Sequence, residues 1–451
     1  MRSPIAAAAL ALTLAATGCD PAPGPDVKTP SSSTTATAEA SSASSASTHP
    51  APTGSANSAA PAVAPPAAEE VRKLANGSNA FGFDLYDRLR TTPGNVVFSP
   101  ASITTALAMT WGGARGETAA QMKKVLHLEG EPDAVMTTSG KLAASLTDPS
   151  RPVVFRIANQ LFGEKSFQFE QPFLDKTKAA YGAPLERIDF QSAPEPARQH
   201  INGWVEGKTD KRIKDLIPSN GIKPDTRLVL VNAIYFLGDW AEPFEKNATH
   251  DAAFFTAKAS QKNVPTMNRT DGFKFVAKDG LKALELPYKG GAMSMLLVLP
   301  DQVDGLDAVE KFLDATKLAG LVGAMKSERV WAAIPKFEVA PAKSLALAEE
   351  LKSMGMPIAF DGKKADFTGI ANPPRPDDRL LIGNVFHKAF VKVDEKGTEA
   401  AAATAVVMPR AGSAAPSQPL EFKADHPFLF FIRDNASGLV LFMGRVADPK
   451  G

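Results

Sequence analysis

"EKGTEAAAATAVVMPRAGSAAPSQP", Glu395 to Pro419, is the stretch on which the reading of this chain turns. It continues directly from an alternating strand pattern and stops just before a Phe-rich pair of strands. It carries almost no side chain large enough to anchor it. The four alanines Ala400, Ala401, Ala402 and Ala403 are strong helix formers when taken alone. Gly397 before them, Val406 and Val407 after them, and Pro409 beyond argue for an extended ribbon instead. In one register Thr398, Ala400, Ala402, Thr404 and Val406 share a face, and all are small or β-branched. Glu399 falls on the opposite face. Such a ribbon fits between existing strands without demanding space, and Gly397 is expected to supply the backbone freedom for a bend at its start.

The flanks read as sheet. In "VFHKAFVKVDEKG", Val385, His387, Ala389, Val391 and Val393 face one way, with Lys388, Lys392 and Asp394 on the other. "PFLFFI" and "LVLFMG", joined across Asp434–Gly438, read as an antiparallel hairpin. "LVLVNAIYF" (Leu228–Phe236) and "MSMLLVL" (Met293–Leu299) are apolar on both faces, as buried central strands are. Asn232 and His387 are the polar exceptions on these buried strands. Buried polar groups need partners, and a mutual contact at the centre of the sheet is expected.

Helical patterns dominate earlier in the chain. Asn76 and Ser78 are candidate caps for a helix with Phe81, Leu85 and Leu89 on one face. Ser99-Pro100 is a helix start, with Ser as N-cap and Pro in the first turn. "INGWVEGKTDKRIKDLIP" is expected to be one amphipathic helix with Ile201, Val205, Ile213 and Leu216 toward the core. Ser344 is expected to begin a helix that Gly355 and Pro357 end. Helices mainly first and strands mainly last, without a βαβ rhythm, indicate an α+β fold.

Composition narrows the function. The 451 residues carry a net charge of +1, with no basic field suited to nucleic acid. The single cysteine, Cys19, excludes a disulfide within the chain. Arg2, the apolar run Ile5–Ala16 and the small residues after it read as a secretory signal over residues 1–19, too short for a permanent membrane span. Ala16-Thr17-Gly18-Cys19 resembles the lipobox of bacterial lipoproteins, which implies lipidation of Cys19; plain secretion is the alternative. Residues 20–70 are mostly Ser, Thr, Ala and Pro, without an aromatic residue before Phe81, and read as a disordered tether. The folded domain is expected over 71–451.

Enzyme signatures are missing from the sequence. It contains no Gly-x-Ser-x-Gly elbow, His-Glu-x-x-His helix or dinucleotide glycine fingerprint. Gly207-Lys208-Thr209 ends like a phosphate loop, but Asn202 stands where its first glycine belongs. No cofactor or metal is expected.

Several motifs together resemble the serpin family from about Leu74 to Asp448. "DEKGTEAAAATAVV" is similar to the hinge of the serpin reactive-centre loop, and "NVVFSPASITTALAM" to the opening of its second helix. "LVNAIYFLGDWAEPF" is similar to the strand that ends in Trp240, and "FKADHPFLFFI" with "GLVLFMGRVADP" to the C-terminal signature. The resemblance implies the serpin fold, with mixed sheets, surrounding helices and an exposed loop at about 395–421. It implies a monomeric suicide-substrate inhibitor and not an enzyme. A target serine protease, or a papain-like cysteine protease, would cut the loop, which then inserts as a new strand and traps the acyl-enzyme. Glu395, Gly397, Thr398, Glu399 and Ala400 to Thr404 match the inhibitory hinge. Family spacing from Glu395 puts the cleaved bond at Ala411-Gly412, and a register one shorter puts it at Arg410-Ala411. Arg410 would select trypsin-like proteases, and Ala411 elastase- or subtilisin-like ones. Ser99, Ser102, Asn232 and His387 match the family's "shutter" beneath the sheet, and Trp240 its "breach", where insertion begins. The alternative within the fold is a non-inhibitory binding or structural module.

Overall fold

The computed structural model describes residues 68–450 apart from residue 183, residues 258–259 and residues 400–417. Two sheets organise the described residues. The larger runs β1 (Val96–Phe98), β17 (Val440–Val446), β16 (Phe428–Asp434), β8 (Met293–Pro300), β7 (Leu281–Pro287), β6 (Ser260–Lys278), β9 (Lys326–Pro335) and β15 (Leu420–Lys423). β5 (His250–Ala257) pairs with the first part of β6. β16 and β17 form the expected hairpin, and every residue of both is buried.

The second sheet runs β10 (Phe337–Val339), β13 (Val391–Val393), β14 (Gly397–Thr398), β4 (Leu228–Asp239), β2 (Val154–Glu164) and β3 (Leu185–Ile188). A short pair, β11 (Leu345–Ala346) with β12 (Phe386–His387), lies apart from both. The sheets pack face to face through aromatic side chains. Phe236 and Phe155 of the second sheet each meet Phe442 at 6.5 Å between centroids, and Phe337 meets Phe430 at 5.6 Å.

Helices surround the sheets: α1 (Ala68–Leu89), α2 (Pro100–Trp111), α3 (Gly116–Val125), α4 (Pro132–Leu146) and α5 (Gln171–Tyr181). They continue with α6 (Pro194–Lys208), α7 (Leu306–Phe312), α8 (Ala315–Ala324) and α9 (Ala348–Met354). Ile201 and Val205 of α6 join Phe162, Val231 and Ala233 in one apolar cluster, so α6 covers the outer face of β2 and β4. Runs of helix around two mixed sheets make this an α+β fold, as the pattern predicts.

Local expectations needed four corrections. α1 begins at Ala68, ahead of the expected boundary at 71, and Asn76 and Ser78 lie inside it and cap nothing; Glu69 and Glu70 supply the favourable charge to its first turn. α6 ends at Lys208, because Asp210 and Lys211 take φ of 46° and 61°. Ile213 and Leu216 are nonetheless buried, through an irregular segment and not a helix. Ser344 starts no helix: Leu345–Ala346 is held extended against Phe386–His387, and the Ser344 hydroxyl donates to the Leu216 carbonyl at 2.7 Å. The loop expected to be exposed from 395 to 421 is in the sheet at both ends, with Gly397–Thr398 forming β14 and Leu420 starting β15.

Candidate functional site

The two residues of β14 are where the unusual stretch meets the sheet. Gly397 pairs with Asp239 and Thr398 with Gly238 on β4, while Thr398 also pairs with Val393 on β13. Among the described residues no other backbone pairing joins β4 to β12 or β13. β14 therefore stands alone in a gap between two strands.

An aromatic clasp holds it. Trp240 stacks on Tyr288 with centroids 4.7 Å apart and planes 14° apart. Its indole N–H donates to the Asp394 carbonyl at 3.0 Å, and its backbone N–H to Lys396 O at 2.7 Å. The Tyr288 hydroxyl lies 2.6 Å from Thr398 Oγ1, and both groups are buried. Burial pushes the Tyr288 phenol far above its usual range, so it remains a neutral hydrogen-bonding group. Glu395 is anchored too. Burial opposes its charge, but hydrogen bonds from Lys336 Nζ at 3.0 Å and Thr249 Oγ1 at 3.0 Å bring its carboxyl below the usual value.

Gly397 is needed for a different reason than a bend. A Cβ there would lie 2.0 Å from the Gly238 carbonyl oxygen and 2.8 Å from Asp239 Cα, both backbone atoms of β4. The turn comes two residues later, at Glu399, whose φ is 52°. Gly397→Ala should therefore unseat β14, costing about 1–3 kcal/mol of intact stability. Equilibrium urea unfolding checks this; an unchanged midpoint would show that β14 tolerates the methyl group.

Glu399 does lie opposite Thr398, but it is buried and not free at the surface. It forms an ion pair with Arg212 of the segment after α6, and the Arg212 guanidinium lies 5.8 Å from the centre of the Phe390 ring. Burial raises the Glu399 carboxyl above its ordinary value. Burial together with the nearby Glu399 carboxylate pushes the Tyr235 phenol up to about 12.

Beyond β14, along the same gap, is a cavity of about 730 Å³. Its walls are the start of β4 (Leu228 to Val231), the run from Leu380 to His387, and Ile103 and Leu107 of α2. His387 and Ser99 meet beside it. The Ser99 N–H donates to His387 Nε2 at 3.0 Å, and Ser99 Oγ caps α2 by accepting from Ser102 N–H at 3.1 Å. Ser102 is buried, and its own hydroxyl has no hydrogen-bond partner among the described residues. The Asn232 side chain lies outside the description, so the expected Asn232–His387 contact does too.

Burial alone lowers the His387 pKa to about 3, which agrees with an Nε2 that accepts. The folded value lies below the unfolded one, so the unfolded chain binds more protons and stability falls as the pH drops from 6.5 toward 3. The loss is about 1.4 kcal/mol per pH unit. Unfolding free energies at neutral pH and about pH 5 should then differ by about 2 kcal/mol more in the wild-type protein than in His387→Gln. An equal difference in both would mean that His387 is hydrated in the intact state.

Ala400 to Thr404, Arg410, Ala411, Gly412 and Cys19 all lie outside the described residues. The sequence reading missed Tyr288, Lys336 and Arg212. Tyr288 and Lys336 reach the hinge from segments that carry no motif, and Arg212 from a stretch whose pattern marks only its apolar residues.

Three comparisons bear on this arrangement. A family model described as "Serpin (serine protease inhibitor)" matches residues 76–449. An uncharacterised serpin-like protein of Thermococcus kodakarensis is 41% identical over 380 residues, covering 84% of this chain and 86% of that protein. The leukocyte elastase inhibitor of Equus caballus is 39% identical over 393 residues, covering 84% of this chain and 100% of that one. Among solved structures, uncleaved ovalbumin superposes with a TM-score of 0.74 at 29% identity, covering 84% of this chain and 100% of that one.

Proposed function

The chain belongs to the serpin family, and from that premise we propose that it is a suicide-substrate inhibitor that traps a serine protease by inserting its own loop between β4 and β13. The observation that carries this reading is the position of β14, seated as a two-residue strand in the gap with a cavity in line beyond it.

Register supports it. Each residue after Thr398 would step one position back along both neighbours. Ala402 would then face Ile234, Thr404 would come between Asn232 and His387, and Val406 between Leu230 and Val385. Leu230 and Val385 line the cavity. The ribbon that looked too small to anchor anything has side chains sized for this gap. Thr398 already points inward, at Tyr288, which sets the inward face for the alternate residues that follow.

The chemistry belongs to the protease. Its serine attacks the carbonyl carbon of Arg410 or Ala411, the amine of the next residue leaves, and the N-terminal part of the loop stays esterified to the enzyme. Insertion of ~14 residues at ~3.3 Å each would carry that ester nearly 50 Å, to the far end of the sheet, before water can cleave it. The protease held there is distorted and cannot complete its cycle.

The test is incubation with trypsin-, elastase- and subtilisin-like proteases, followed by denaturing electrophoresis. A complex that resists SDS is expected with at least one of them. The released C-terminal fragment should begin at Ala411 if Arg410 is read and at Gly412 if Ala411 is read; similarity to the horse leukocyte elastase inhibitor supports the second. Complete cleavage with no stable complex would instead favour the non-inhibitory module. We further propose export by residues 1–19, lipidation at Cys19 and tethering by the Ser/Ala/Pro-rich segment, on the outer side of a bacterial membrane. Among the described residues no helix is long and apolar enough to cross a membrane. In this proposal the lipid on Cys19 holds the protein at the membrane surface. Mass spectrometry of the exported protein's N-terminal peptide tests this: an unacylated Cys19 would leave plain secretion.

A further inference from the structure

The far end of the gap between β4 and β13 holds charges that an inserted loop does not use. Arg227 stands immediately before β4 and Arg379 immediately before Leu380, and both line the cavity of about 730 Å³ together with Lys223. In the register set by β14, Arg227 comes opposite Ile382, three residues from Arg379. The ribbon residues that would reach this level are Met408, Pro409 and Arg410, and none carries an anion. Among the described lining residues Asp225 is the one carboxylate, against three cations. Asp366 attracts Arg379 but does not line the cavity, and its Oδ1 already accepts from the Thr368 hydroxyl at 2.7 Å. Arg227 donates through Nη1 to the Pro224 and Thr226 carbonyls at 3.0 and 3.1 Å, which leaves the donors of Nε and Nη2 for another acceptor.

Between these charges and β14 the walls are apolar and incompletely covered. Leu228, Leu230, Ile382 and Val385 line the cavity yet are only partly buried, and Leu381 is 44% exposed. Exposed apolar surface of this kind marks a place where something binds. β14 pairs on both of its sides, so the gap is one strand wide. That width admits a single alkyl chain and excludes a lipid with two. An apolar slot with cations gathered at one end suits an amphiphile with an anionic head, and is unsuited to a cationic or wholly polar ligand.

We propose that this end of the gap binds a single-chain fatty acid, its carboxylate held by Arg227 and Arg379 and its alkyl chain lying along Leu228, Leu230 and Val385, and that the bound fatty acid holds loop insertion back. The head group gains charge-assisted hydrogen bonds from the guanidinium donors. The chain covers the apolar walls that the intact protein leaves open. It lies where Val406 and the residues after it would go, between Leu230 and Val385, so it must leave before the ribbon can pass. Hydrolysis of the acyl-enzyme continues meanwhile, and the protein is spent as a substrate. The consequence for trapping rests on the inhibitor reading; the binding does not.

The experiment titrates the full, intact chain calorimetrically with laurate, decanoate and dodecanol, each kept below the concentration at which it forms micelles. Laurate is expected to bind saturably at one equivalent, and decanoate, two methylenes shorter, roughly fifteenfold more weakly. Arg227→Gln/Arg379→Gln should weaken laurate more than roughly tenfold and leave dodecanol, which has no charge, unchanged. Leu230→Trp, which fills the slot, should abolish binding of both. No binding of laurate, or no dependence on chain length, would overturn the site. An equal loss of laurate and dodecanol in the arginine variant would overturn the carboxylate contact, and laurate binding that survives Leu230→Trp would overturn the location. At about ten times its dissociation constant laurate leaves only about a tenth of the molecules with an open gap, so the fraction of cleavage events ending in a stable complex should fall about tenfold. An unaltered fraction with laurate bound would overturn the effect on insertion. If no protease is trapped under any condition, the inhibitor reading fails while the titrations still decide the site.

Discussion

Cutting the intact protein once, between Val406 and Gly412, is expected to raise its thermal unfolding midpoint by roughly 20 °C or more. The direction is unusual, because a nick ordinarily removes constraint and lowers stability. Here it frees a ribbon whose first two residues already pair on both sides, opposite Val393 and opposite Gly238 and Asp239. Insertion of the rest adds ~10 backbone hydrogen bonds at ~1 kcal/mol net each, about 10 kcal/mol before packing is counted. That is comparable with the whole stability of an ordinary domain. It also fills the cavity lined by Leu228 to Val231 and Leu380 to His387. Differential scanning calorimetry of intact and nicked protein measures the shift. Coincident midpoints would mean that the gap stays empty after cleavage, and the trapping mechanism would have no driving force.

Thr398→Arg should convert the protein from an inhibitor into a substrate, lowering the fraction of cleavage events that end in a stable complex by roughly a hundredfold. Thr398 is buried, with its hydroxyl 2.6 Å from the Tyr288 hydroxyl under the Trp240 ring. An arginine there must either bury an unpaired charge, costing several kcal/mol, or stay outside the sheet. Staying outside blocks the first step of insertion. At ~1.4 kcal/mol per factor of ten, even 3 kcal/mol on that step gives the hundredfold loss, because hydrolysis of the acyl-enzyme continues at its normal rate. Complex and cleaved product are counted by densitometry after electrophoresis. Trapping at the wild-type ratio would mean that insertion does not begin at Thr398.

Much of the framework was legible from local rules. Ser99-Pro100 carries its helix start in two residues, and the structure bears it out through the hydrogen bond from Ser102 N–H. The β16–β17 hairpin and the all-buried β8 were plain in runs of apolar residues. Failures came where tertiary contacts outweigh local preference. Asn76 and Ser78 are good caps, yet the helix continues through them because Ala75, Phe81 and Leu85 bury against the core on either side. The periodic Ile213 and Leu216 reach the core from an irregular segment, so apolar spacing alone overstated the helix. Gly397 was correctly singled out, but for flexibility. Its true constraint, the approach of the Gly238 carbonyl, belongs to a strand almost 160 residues away in the chain. Arg212 and Tyr288 were invisible for the same reason.

The stacked pair of Trp240 and Tyr288 also equips the molecule with a clock. The chain has four tryptophans, Trp111, Trp204, Trp240 and Trp331, and Trp240 is the one whose indole donates to the carbonyl of Asp394, at the base of the hinge. A ribbon threading past Thr398 must disturb the hydroxyl contact to Tyr288 and, through it, the surroundings of that indole. Stopped-flow emission from a variant that keeps only this fluorophore would time the first steps of threading separately from acylation, with no label attached to either protein.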